Sequence, residues 1–249
     1  MKAIRLAVAA ALVAAIPAHA QFFSAPKPDT GSEYLAHVFG KNAAFTATAA
    51  STIGMAGRGG QEVETQYAVL DGNMRTETDM TRMKGGAMPP EAVAQMKQMG
   101  MDRTVVIHRS AENKTYMIYP GLKSYCVISA AKADGAGDAK PPKIERAEVG
   151  KETVEGHPCV KYKLTMTMDN GRKMNMFVWQ AADLNQFPIK TEATHDQTTI
   201  TTVFRDIKMT RPDASLFQVP AGFKEYSNMQ EMMMSVMGAM MGGLGGAPR

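Results

Sequence analysis

Four methionines, Met166, Met168, Met174 and Met176, flank one tight turn in the stretch KLTMTMDNGRKMNMFVW, residues 163–179. Thioethers offer three kinds of chemistry. They are soft donors that select Cu(I). They are unbranched and polarizable, which suits a surface that accepts varied apolar shapes. They also oxidise reversibly to the sulfoxide. Against all three stands plain packing, because methionine fills irregular gaps in protein interiors.

The turn decides where the sulfurs point. Asp169-Asn170-Gly171 predicts a three-residue hairpin loop, with Gly171 in the left-handed position that a residue lacking a Cβ adopts without steric cost. That loop sets Met168 opposite Arg172, Met166 opposite Met174, Leu164 opposite Met176 and Tyr162 opposite Val178. Side chains alternate along a strand. Tyr162, Leu164, Met166, Met168, Met174, Met176 and Val178 therefore share one face, and Lys161, Lys163, Thr165, Thr167, Lys173, Asn175, Phe177 and Trp179 share the other. A two-residue Asn-Gly turn would split the methionines between faces, so the apolar pattern selects the longer loop. The first face is the candidate lining for an apolar ligand. Its four methionines are the alternative copper set.

Other chemistries fare worse. Ser215 lacks a G-x-S-x-G context. The carboxylate pairs Glu62/Glu64 and Glu145/Glu148 suit solvated strand faces, and Gly57–Gln61 lacks the G-K-[ST] ending of a phosphate loop. His37, His108, His157 and His195 are dispersed. The expectation is a protein without catalytic residues or cofactor.

Residues 1–20 read as a secretory signal: Lys2 and Arg5, an apolar run from Leu6 to Ile16 too short to span a membrane, then an A-x-A site ending at Ala20. Residues 21–30 form a Pro-bearing leader. Without Lys2 and Arg5 the chain carries 26 basic against 24 acidic residues, and no basic patch interleaved with aromatics predicts nucleic-acid binding. No later run reaches membrane-spanning length, so no stable membrane insertion is expected. The two cysteines, Cys126 and Cys159, predict a disulfide in an oxidising compartment, with two buried thiols as the alternative.

Around the hairpin, Ser32–Phe39 predicts a short helix. Strands are expected at 45–51, 63–70 and 74–80, the last two joined around Asp71-Gly72-Asn73, with a flexible loop at 54–60. Pro89–Met99 predicts a helix presenting Val93, Met96 and Met99, a lid stripe for the same ligand. Further strands are expected at 104–109, 114–119, 123–129, 144–149, 189–194 and 198–209, and a small-residue loop at 130–142. Short turns between most strands imply an antiparallel sheet with helices on one side.

From Ser227 the chain is methionine-rich. Ser227 with Gln230 forms a capping-box pattern, and Met229, Met232, Met233, Val236, Met237, Met240 and Met241 follow at helical spacing. Such a stripe needs a surface to lie on. Lacking a Lys/Arg-rich polar face, the tail (227–249) suits its own chain or an envelope protein better than a membrane.

The segments ETVEGHPCVKYKLTM, FVWQAADLNQFPIK and VFRDIKMTRPDASLFQVPAGFKEY, within residues 151–226, resemble an exported bacterial family of the domain-of-unknown-function 4412 type, similar in fold to the LolA/LolB lipoprotein carriers. Pro212–Tyr226 carries the most specific likeness. The resemblance implies an α+β domain over residues 31–226: an antiparallel β half-barrel with helices on its concave side, followed by the Met-rich helix or tail. It implies a periplasmic, non-enzymatic binder of lipid or lipoprotein acyl chains. A Met-rich copper(I)-binding or envelope-stress protein, and a scaffold for an apolar protein segment, are the alternatives.

Overall fold

The computed structural model describes residue 39 and residues 42–55, 58–85, 89–112, 114–129, 143–167, 171, 173–195 and 198–242. The expected signal segment, the leader, most of the Ser32–Phe39 helix and the 130–142 loop lie outside the described residues.

Among the described residues, twelve strands form one open sheet: β1 (Ala44–Met55), β2 (Arg58–Leu70), β3 (Asn73–Asp79), β4 (Arg103–Arg109), β5 (Lys114–Tyr119), β6 (Ser124–Ser129), β7 (Lys143–Val154), β8 (His157–Thr167), β9 (Lys173–Ala181), β10 (Phe187–His195), β11 (Thr198–Lys208) and β12 (Lys224–Tyr226). Two helices follow the expected segments, α1 (Pro90–Gln98) and α2 (Met229–Gly242). The spatial order is β12-β6-β5-β4-β3-β2-β1-β11-β10-β9-β8-β7. Two antiparallel meanders, β1 to β6 and β7 to β11, thus meet where β1 pairs with β11. The short β12 runs parallel to β6, an element the sequence reading did not include.

Turn chemistry sets the hairpins. Asp71 and Gly72 take φ +48° and +83°, and Leu70 pairs with Asn73, a two-residue turn whose twist matches the flanking strands. Glu155-Gly156 repeats it between β7 and β8. The expected loop at 54–60 is shorter than read, because β1 runs to Met55 and β2 starts at Arg58.

Alternation along β2 divides the core between the two faces. Tyr67 and Val69 pack with Phe45, Ala47, Ala49, Phe204 and the hairpin residues. Ala68 and Leu70 pack with Val105, Ile107 and Ile118 on the opposite face. Phe217, Val219 and Phe223 cover that second face, so the distinctive Pro212–Tyr226 stretch is a strap across the sheet. Asp213 starts it, its carboxylate accepting from the Ser215 N–H at 2.8 Å.

The expected disulfide does not form. Cys126 on β6 and Cys159 on β8 are free buried thiols with eight strands between them. A disulfide needs Cα atoms within about 7 Å, so the sheet order forbids it. Burial pushes both thiols above their usual range. Thiol titration without reductant should therefore count two reactive sulfurs in denaturant and slow labelling of the native chain. A zero count in denaturant would restore the disulfide.

Candidate functional site

The β8–β9 hairpin has the register that the turn predicts: Met166 opposite Met174, Leu164 opposite Met176, Tyr162 opposite Val178. Gly171 has φ +77°. Met168 lies outside the described residues. The face divides by depth. Leu164, Met176 and Val178 are buried in the first core cluster, whereas Tyr162, Met166 and Met174 are half-buried. The inner half of the stripe is thus core, and the outer pair of methionines is the accessible part.

The sequence reading missed the aromatic nest beside that stripe. Phe45, Phe187 and Phe204 are buried, with ring centroids 4.9 Å apart for Phe45–Phe187 and 5.6 Å for Phe187–Phe204, both edge-on. Phe39, which precedes the sheet, lies 5.1 Å from Phe45 and 5.8 Å from Phe204. Edge-to-face packing at these separations adds to simple burial. These phenylalanines come from segments far apart in the chain, so no local period announces them.

Tyr162 is covered rather than open. The Arg146 guanidinium, from edge strand β7, stacks 3.6 Å from its ring centroid and donates to Gln180 Oε1 at 2.7 Å. The opposite face is less polar than expected. Trp179 is buried, with Lys161 and Lys190 ammonium groups 4.5 and 4.4 Å from its ring, and its indole N–H donates to Glu152. Lysine stems cover the indole while their charged ends reach water.

The expected lid does not join the hairpin. Met96 of α1 is buried and Val93 half-buried, but Met99 packs into a third cluster with Met101, Tyr119, Tyr226 and Met232. In the sheet order, α1 connects β3 to β4, well away from β8 and β9. Two surface clefts, of ≈ 350 Å³ beside Asn42, Asp183 and Asn185 and of ≈ 220 Å³ beneath the strap, involve neither Met166 nor Met174.

The first turns of α2 pack against their own chain. Met232 is fully buried, Met229 and Met233 pack beside it, and the Tyr226 and Ser235 hydroxyls share a hydrogen bond of 2.8 Å. Val236 is half-buried, and the side chains of Met237, Met240 and Met241 lie outside the described residues. The cap sits one residue later than predicted. Asn228 Oδ1 accepts from the Glu231 N–H at 2.9 Å, while the Glu231 carboxylate accepts from the Ser227 N–H at 3.0 Å. Asparagine caps as well as serine does, and glutamate in the first turn adds a favourable charge.

Among the described residues, no three His, Cys, Asp or Glu side chains gather as a metal site, and no helix is long and apolar enough to cross a membrane. His108 is buried, its Nδ1 3.1 Å from Thr115 Oγ1, and desolvation lowers its pKa.

The sequence profile of the Domain of unknown function (DUF4412) matches residues 61–186. This match begins earlier than the expected 151–226 likeness and ends before the Pro212–Tyr226 strap. Among proteins of curated function, none matches the chain. Among solved structures, the chain is similar to a LolA superfamily protein from Nitrosomonas europaea, at 9% identity and TM-score 0.38 over 78% of this chain and 98% of that one. It is also similar to LprF from Mycobacterium bovis, at 12% identity and TM-score 0.34 over 75% and 94%. A third is a putative outer membrane lipoprotein-sorting protein domain from Vibrio parahaemolyticus, at 12% identity and TM-score 0.35 over 77% and 96%. At scores this low the likeness carries no weight for function.

Proposed function

The chain belongs to the Domain of unknown function DUF4412 family, and from that premise we propose that it is a non-enzymatic binder of an apolar ligand, a lipid or lipoprotein acyl chain, in the bacterial envelope. One observation carries the reading. An open sheet presents a continuous apolar face, from Leu164, Met176 and Val178 through Phe204 to Phe45 and Tyr67, and the residue seated on its aromatic part is the chain's own Phe39. An acyl chain would take the place of that side chain. Each buried methylene contributes about 0.8 kcal/mol, so affinity accumulates along the chain without a dedicated polar contact. The signal-like residues 1–20 support the location. The half-buried Met166 and Met174 form the rim, where a flexible thioether follows ligands of varied shape.

Their partial exposure makes them the test. In a Met166→Asp/Met174→Asp variant the carboxylates sit at half-buried positions where they stay hydrated, so the chain folds. Closing an acyl chain over them would bury charge, at a penalty of several kcal/mol. Protein purified without detergent should carry lipid by native mass spectrometry, and the double aspartate variant should carry none. Equal lipid content in both, or no lipid in the wild type after incubation with phospholipid, would reject the reading.

A further inference from the structure

The methionines of this chain are not spread evenly through its core. The first cluster, counting the part-buried residues packed against it, has twenty-one members, and two of them, Met74 and Met176, are methionines. The third cluster has nine members, of which six are methionines: Met99, Met101, Met117, Met229, Met232 and Met233. They arrive from three separate parts of the chain: the end of α1, strand β5 and helix α2. A low-complexity tail explains only the last three.

Geometry adds to composition. Met117 stands opposite Cys126 across β5–β6, and Cys126 stands beside Tyr226 across β6–β12, so a thioether and a thiol occupy neighbouring positions on one face. The Met117 sulfur accepts a hydrogen bond from the Tyr119 hydroxyl at 3.5 Å, so it is already placed as an electron-pair donor. Met101 and Met232 are buried, while Met99, Met117, Met229 and Met233 are half-buried and give an ion a way in from solvent. Aliphatic residues would fill the same space with better-defined rotamers. Methionine also fills irregular gaps, but six of them at one contact bring six thioethers into a single cluster.

We propose that the contact between α2 and the β5–β6 end of the sheet is a soft monovalent cation site, taking Cu(I) through the thioethers of Met101, Met117 and Met232. Thioethers select Cu(I), and among the described residues no three His, Cys, Asp or Glu side chains gather into a site for a harder ion. The site is distinct from the β8–β9 methionines that the sequence offered as the copper set. Because Met232 is a donor, the bound ion would fasten α2 to the sheet.

The experiment is an oxygen-free titration of the full mature chain with Cu(I) against the chromophoric chelator bicinchoninate. The wild type should retain one equivalent. A Met117→Leu/Met232→Leu variant should bind more weakly by more than about tenfold, a loss seen even for outer-sphere partners of metal sites. A Met166→Leu/Met174→Leu variant should bind as the wild type does. Unfolding midpoints are taken in parallel; should the first variant not fold, the half-buried Met117→Leu replacement carries the comparison. Equal competition by the wild type and the Met117 variants would show thioethers used only for packing and overturn the proposal. So would a loss confined to the hairpin variant.

Discussion

Replacing Phe187 by alanine is expected to destabilise the chain by about 3–5 kcal/mol, the range for removing a large buried aromatic side chain. Phe187 is completely buried, and its ring meets Phe45, Phe204 and Phe39 at centroid separations of 4.9, 5.6 and 5.9 Å. The cost comes from lost burial and from the cavity left among rings that belong to separate segments and cannot collapse together. Each kcal/mol shifts the unfolding temperature of a chain this size by about 2–4 °C. The denaturation midpoint should therefore fall steeply. Phe187→Leu keeps most of the volume and should lose much less. A Phe187→Ala midpoint within error of the wild type would mean that the aromatic nest is not the keystone of the junction between the meanders.

Gly100→Ala is the second large effect, and its cause is backbone rather than side chain. A Cβ at Gly100 would lie 2.8 Å from the carbonyl carbon and 2.9 Å from the oxygen of Gly121. Gly100 also has φ +67°. The left-handed conformation costs an ordinary residue about 1–2 kcal/mol, and overpacking adds about 1–3 kcal/mol where nothing can yield. Gly121 sits in the Pro120–Leu122 turn, and neither partner is a flexible side-chain tip. The disturbance would reach the third cluster, because Met99, Met101 and Leu122 flank the contact. Limited proteolysis should therefore release α2 faster in Gly100→Ala than in the wild type. Gly150→Ala is the control: nothing lies within 4 Å of its Cβ, and the change should stay within about 0.5 kcal/mol. Equal stability of both variants would show that the Gly100–Gly121 approach is looser than described.

Local features were written into the residue order. Gly171 and the two-residue alternation were enough to fix the β8–β9 register pair by pair, because turn geometry and the hydrophobic period act over a few residues. Most strand segments were legible for the same reason, as was the α1 start on proline. The cap of α2 was legible in kind and displaced by one residue, since Ser227 and Asn228 compete for the same role. Membership of the family rested on residue patterns that the chain carries openly.

Which faces meet depends on long-range strand pairing. Pairing of β1 with β11 places the two meanders side by side, and that long-range choice has no local signature. It sends Cys126 and Cys159 to distant strands, so the cysteine count alone misled. The same order separates α1 from the hairpin and brings its Met99 to the tail, turning three unrelated methionine segments into one cluster. It also assembles Phe39, Phe45, Phe187 and Phe204 from four positions that no periodicity links. Hydrophobic burial is non-directional: it requires these side chains to leave water but does not name their partners, and the sheet order supplies that choice.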